Sequence, residues 1–211
     1  MSALRKLLPT EMGYYEAHLL RLDRVDRYLR FGGTVTDAVV EQHCLQLNWH
    51  DTIVIGDFYQ GELRAAAELR SDGGLFPRRG EAAFSVERAF QGQGIGTTLM
   101  RRVLTIAANR GLLIVDVICL LENRRMQALA RHFAKEAVID SGEVGVKICL
   151  DHPNHISFLL EAFDEGAGLM SAILDSFMPK TANISDLAAR NAARPNANAA
   201  WPSANSVDAR R

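Results

Sequence analysis

A short glycine-rich connection between an apolar strand and an amphipathic helix constrains this chain more than any other feature. Residues 84–100 read FSVERAFQGQGIGTTLM. The alternating segment 81–86 predicts a strand. The apolar positions Ile95, Leu99, Val103, Ile106 and Ala107 recur at helical spacing and predict a helix over 94–111. Gly92, Gly94 and Gly96 lie between them. Glycine tolerates positive φ and lets a ligand approach the backbone. Free N–H groups at a helix start, reinforced by the helix dipole, bind anions. Thr97 and Thr98 add hydroxyls in the first turn, so a pyrophosphate suits the loop. The glycine spacing fits neither the dinucleotide loop G-x-G-x-x-G nor the P-loop.

The rest of the chain supplies an α/β order. Residues 4–8 predict a short first strand. A helix follows over 11–30, with Leu19, Leu22, Val25 and Leu29 on its inner face. Thr36-Asp37 opens a second helix that carries Val39, Val40, Cys44 and Leu47. Residues 52–59 (TIVIGDFY) and 62–70 predict a hairpin around Gln60-Gly61. Residues 113–121 are almost wholly apolar, the pattern of a strand buried on both faces. Asn123 opens another helix to about 135, and 138–140 with 144–150 supply two more strands. Residues 158–178 have helical spacing in parts. From 179 to 211 the chain is Ala, Asn, Ser, Pro and Arg with little to bury, which predicts disorder. The expected organisation is one domain over 1–178 and a disordered tail over 179–211.

Composition excludes several classes. The formal net charge of -1 offers no nucleic-acid or membrane field. No apolar run is long enough for a signal peptide or a membrane span. Three cysteines without C-x-x-C spacing, Cys44, Cys119 and Cys149, favour reduced thiols and argue against a metal site. A soluble cytoplasmic protein is expected.

Gln91-Gly92-Gln93-Gly94-Ile95-Gly96 fits the pattern [RQ]-x-x-G-x-[GA] of the GNAT acyltransferases. Val86-Glu87-Arg88 resembles that family's strand-end V-x-P element, with Arg88 in place of the proline. Ala107-Ala108 and Gly111 resemble its helix ending. Asn123-Arg124-Arg125-Met126 with Leu129 is similar to its next helix start. The resemblance spans about 4–150 and is strongest over 84–133.

It implies a mixed, largely antiparallel central sheet flanked by helices, whose fourth and fifth strands splay apart after a bulge. Acetyl-CoA would enter the gap. The N–H groups of Gln93, Gly94, Gly96 and Thr97 would hold the pyrophosphate. Gln91, Gly92, Ile95 and Met126 complete the implied cofactor-binding set. The backbone of Phe84, Ser85 and Val86 would pair with pantetheine like an added strand. A backbone N–H near Val86 would polarise the thioester carbonyl. Asn123 would hold the pantetheine arm, or cap its helix, or both. Many members place a tyrosine acid where this chain has Ala130. His132 lies on the opposite side of that helix, whereas Gln127 and Ala134 share Ala130's face. Glu68 and Glu81 are the candidate bases if they point into the cleft.

Two readings follow. One is an N-acetyltransferase that acylates an amine of a small molecule or protein by direct attack. The other is a non-catalytic acyl-CoA sensor, suggested by Ala130. Residues 32–48 and 71–80 would line the acceptor side, where Arg70, Arg78 and Arg79 hint at an anionic acceptor. The apolar surplus of 156–178 suggests a homodimer surface.

Overall fold

The computed structural model describes residues 2–74, 78–134, 136–140 and 142–150, with Pro153, 157–159, 161–163, Gly166 and Met170 beyond. The expected tail over 179–211 lies outside the described residues. Strand β1 (Ser2–Lys6) leads through a 3-10 turn (Pro9–Glu11) into helices α1 (Met12–Arg21), α2 (Arg24–Phe31) and α3 (Asp37–Leu45). The antiparallel run β2 (Thr52–Tyr59), β3 (Glu62–Ser71) and β4 (Arg79–Val86) follows. Then come α4 (Ile95–Asn109), β5 (Ile114–Leu120), α5 (Arg124–Phe133), β6 (Glu136–Asp140) and β7 (Glu143–Cys149). The seven strands form one sheet in the order β1-β2-β3-β4-β5-β7-β6. Every neighbouring pair is antiparallel except β4–β5.

The expected single helix over 11–30 is two helices. Leu22 turns extended at ψ 135°, and Asp23 accepts hydrogen bonds from Val25 N and Asp26 N, both at 2.9 Å. An aspartate cap at that point outcompetes continuation of the helical ladder. Val25 is left exposed rather than on an inner face. The Thr36 cap on α3 forms as expected. Its Val40 and Cys44 are buried, but Val39 faces solvent.

Alternate residues of the sheet feed two cores on opposite faces. Ile55, Ala67 and Leu69 pack with Leu99, Val103 and Ile106 of α4. Val54, Phe58 and Ala66 pack with Tyr15 and Leu19 of α1 and Val40 of α3. Strand β3 carries one residue more than β2 at Arg64, because Asp57 faces Ala65 while Phe58 faces Leu63. This bulge flips the phase, so Leu63 joins the α1 core while Ala65 faces α4. Gly56 sits beside it: an added Cβ would lie 2.8 Å from Leu7 Cδ1 and closer still to Leu63.

Strand β5 is not buried on both faces. Val115, Val117 and Cys119 are buried, whereas Ile118 is half exposed, so its apolar run covers one packed face and one open face. Parallel pairing of β4 with β5 covers only Arg79–Glu81 opposite Ile114–Asp116. Beyond it the two strands diverge. No bulge in β4 causes this. Its register with β3 is unbroken from Ser71↔Gly80 to Ala65↔Val86, and Glu87 N continues it to Arg64 O at 3.0 Å. The gap opens because β5 leaves β4 and stays zipped to β7 along its whole length.

Candidate functional site

After Val86 a 3-10 turn (Arg88–Phe90) brings the chain to Gly92 and Gly94, at φ 76° and 81°. An L-residue avoids both conformations, and an added Cβ at either would meet only open space. Gly94 caps α4, and Thr98 N closes its first turn on Gly94 O at 3.0 Å. The N–H groups of Ile95, Gly96 and Thr97 therefore have no acceptor within the helix. The Thr98 hydroxyl turns back to Gly94 O at 3.3 Å instead of toward a ligand. Two glutamines brace the loop. Gln91 Nε2 donates to Val86 O at 2.9 Å, and Gln93 Nε2 to Ala89 O at 3.1 Å. Arg125 of α5 donates to Gln91 Oε1 from across the cleft.

The loop borders a cleft of about 990 Å³ that the divergence of β4 and β5 opens. Of the residues singled out above, Phe84, Ser85, Val86, Gln91, Gly92, Gly94, Ile95, Gly96, Thr97, Asn123 and Met126 all line it. Glu87 N points to β3, so strand alternation aims the Val86 N–H at the gap. Asn123 Oδ1 accepts from Met126 N at 3.1 Å and so caps α5. Gln93 does not line the cleft, and neither do Glu68 and Glu81. A further wall is Leu22 with α2, through Val25, Asp26, Leu29 and Arg30, while α5 adds Arg125 and Leu129; residues 32–48 and the described part of 71–80 lie elsewhere.

Glu81 is exposed at the closed end of the gap, in register with Arg70 and Asp116. At ~3.3 Å per residue it stands about 17 Å along the strand from Val86. Glu68 is buried on the α1 face. Its Oε2 accepts from Tyr15 Oη and Arg30 Nη2, both at 2.8 Å, and meets His43 Nε2 at 3.0 Å. Arg70 Nη2 reaches Oε1 at 3.1 Å. Burial alone would raise this carboxyl, but His43, Arg30 and Tyr15 together hold it down to about 2. A carboxylate held so low accepts protons poorly. Of the arginines offered for an anionic acceptor, Arg70 serves Glu68 and Arg79 sits 3.5 Å from Asp116.

Ala130 has no exposed surface, and Gln127 beside it donates to Leu120 O and Leu121 O at 3.2 and 2.8 Å. That face of α5 fastens the helix to the end of β5. His132 is exposed and meets the ring of Phe133 edge-on. Arg88, in the place of a proline, pairs with Asp23 at 2.5 Å and Asp26 at 3.3 Å and ties the turn after β4 to the start of α2.

The structure adds one cluster that the sequence reading did not single out. His18 of α1 has no exposed surface. Its Nε2 lies 2.8 Å from Ser85 Oγ and its Nδ1 3.2 Å from Glu87 Oε1. Glu87 also accepts from Arg21 Nε and Arg64 Nη1, both at 2.9 Å. Burial lowers the His18 pKa, against the pull of Glu87. Burial would raise Glu87, but His18, Arg64 and Arg21 hold it down to about 2. One signal was present: Tyr15, His18, Leu19 and Leu22 share the buried stripe of α1, and a histidine there requires a polar partner.

All three cysteines are free. Among the described residues no acidic, histidine or cysteine cluster could hold a metal, and no helix is long and apolar enough to cross a membrane.

The family model of the GNAT acetyltransferases matches residues 19–134, more than half of the chain. Among solved structures, the chain is similar to the GNAT domain of S. lividans PAT, with 18% identity, a TM-score of 0.61, and coverage of 70% of this chain and 89% of that one. It is similar to an acetyltransferase of the GNAT family from Streptococcus pneumoniae (15% identity, TM-score 0.55, coverage 72% and 100%). The fold is also shared with yncA from Salmonella typhimurium, solved with its cofactor acetyl-CoA (14% identity, TM-score 0.51, coverage 73% and 98%). Among curated proteins none matches significantly.

Proposed function

The chain belongs to the GNAT acetyltransferase family, and on that premise we propose that it transfers an acyl group from acetyl-CoA to the amine of a small molecule or protein. One observation carries the reading. The N–H groups that open α4 and the edge of β4 beyond Glu81, which no strand covers and where Gln91 holds Val86 O, border the same cleft. A pyrophosphate on the helix start and a pantetheine amide along Phe84–Val86 would supply the two partners this backbone lacks. The Val86 N–H would then stand where the thioester carbonyl gathers charge. Asn123, occupied as the cap of α5, adds its side chain to the opposite wall. Direct attack is the simplest route, because it asks only that donor and acceptor meet in one cleft.

Titration of acetyl-CoA by calorimetry, with a Gly94→Glu variant alongside, tests the reading. The new side chain has open space but sits at φ 81° and carries a charge into the anion site. We expect the variant to fold with a loss of about 1–2 kcal/mol and to bind acetyl-CoA at least ~100-fold more weakly. A folded parent that does not bind acetyl-CoA refutes the assignment.

A second reading has its own support. Ala130 is sealed in the core and neither Glu68 nor Glu81 lines the cleft, as suits an acyl-CoA sensor without transfer activity. Binding without release of CoA, across a panel of amines and peptides, would select it.

A further inference from the structure

We propose that Ser85, His18 and Glu87 form a proton relay, in which the imidazole of His18 acts through the Ser85 hydroxyl as the base for the attacking amine. The inference deepens the acyltransferase reading and rests on it.

Chemistry fixes the direction of each hydrogen bond. Glu87 is held as a carboxylate by Arg21 and Arg64, so it only accepts. His18 Nδ1, 3.2 Å away, must then carry the hydrogen of that contact. The ring has no exposed surface, and burial disfavours its charged form. In the neutral ring Nε2 bears a lone pair, and the Ser85 hydroxyl 2.8 Å away donates to it. A hydroxyl whose hydrogen is directed at an imidazole presents oxygen lone pairs elsewhere. Ser85 lines the cleft immediately before Val86, whose N–H faces the gap.

The charged groups around the ring are few. Glu87 favours the imidazolium, while Arg21 on α1 and Arg30 on α2 oppose it. Arg64 of β3 holds the other oxygen of Glu87. Packing alone accounts for a buried histidine having partners. It does not account for a serine on the cleft wall that links this histidine to the site from which the two candidate carboxylates are absent.

The neutral amine nitrogen attacks the thioester carbon, and a C–N bond forms. The nitrogen passes one proton to Ser85 Oγ as the serine's own proton moves to His18 Nε2. The C–S bond breaks and sulfur leaves with the electron pair as thiolate. The imidazolium returns its proton through Ser85 to the thiolate, which leaves amide, thiol and the original neutral relay. Ser85 is the residue that would touch the acceptor, and Glu87 positions His18.

Two measurements test the relay. Nitrogen NMR of histidine-labelled protein at pH 7 should show His18 neutral with hydrogen on Nδ1, and its Nε2 resonance should move in Ser85→Ala. Hydrogen on Nε2, or a charged ring, overturns the proposal without any acceptor being known. The second measurement reads CoA release from saturating acetyl-CoA with hydroxylamine, a small neutral acceptor. Ser85→Ala should slow release about 100-fold, the scale of general-base catalysis, with acetyl-CoA affinity by calorimetry unchanged. Ser85→Thr should restore most of the rate. A Ser85→Ala variant that binds and turns over like the parent overturns the relay and leaves the acyl-CoA reading standing. A parent that does not bind acetyl-CoA overturns the reading beneath it.

Discussion

Glu68→Gln removes one charge and almost no volume from a buried site that four side chains converge on. The carboxyl is held down to about 2 against an ordinary value of 4.5. A carboxyl whose folded pKa is depressed contributes stability that is present above its unfolded pKa and lost as pH falls through its folded one. The difference in pKa amounts to about 3 kcal/mol at neutral pH. Glutamine cannot neutralise Arg30, whose side chain is 9% exposed and whose Nε has no partner. An unpaired buried charge left behind costs a similar ~3–5 kcal/mol. For a domain of this size we expect a fall in Tm of about 6–12 °C at pH 7. Urea titrations should show the gap between parent and variant shrinking to about 1.4 kcal/mol at pH 3, because the unfolded carboxyl is by then protonated and folding must strip that proton off. Glu68→Gln with Arg30→Met should recover most of the loss, since removing both partners strands neither. A Tm change under ~3 °C, or a gap that stays constant down to pH 3, would refute the claim that charge pairing rather than packing holds this cluster.

Two further substitutions probe the frame of the site. Gly56→Ala forces a methyl against Leu7 and Leu63 in a filled core, and should cost about 1–3 kcal/mol in urea unfolding; a neutral result would mean that Leu63 repacks freely. Gln127→Ala strips the donors from Leu120 O and Leu121 O. It should cost about 1–3 kcal/mol and speed amide exchange at the start of α5 more than in α4.

The local elements were legible because their determinants are local. The glycine loop, the hairpin around Gln60-Gly61 and the Thr36 and Asn123 caps each depend on residues within a turn of one another. Helical period alone ran α1 into α2, although Asp23 already carried the capping chemistry that parts them. An apolar run could not reveal that β5 has only one packed face, because burial depends on what lies opposite. The clearest loss was the His18–Ser85–Glu87 cluster. Its members are 67 and 69 positions apart, and only the fold brings them together. The fate of Glu68 was hidden for the same reason, since three of its four partners come from three different helices.

The brief parallel pairing of β4 and β5 has a mechanical consequence. β4 is zipped to β3 along nearly its full length, and β5 to β7 along its own. Among the described residues, the pairing between these two plates runs at Arg79–Glu81 and is extended by Leu113 N donating to Arg78 O at 2.8 Å. Such a joint resists sliding, because slipping the register would break its bonds together. It resists angular opening far less, because the free ends can part while the joint holds. The angle of the wedge, with its vertex near Gly80 and its open ends at Val86 and Leu120, is therefore the coordinate that sheet hydrogen bonds constrain least. A bound molecule that bridges the free ends would act as a strut and fix that angle.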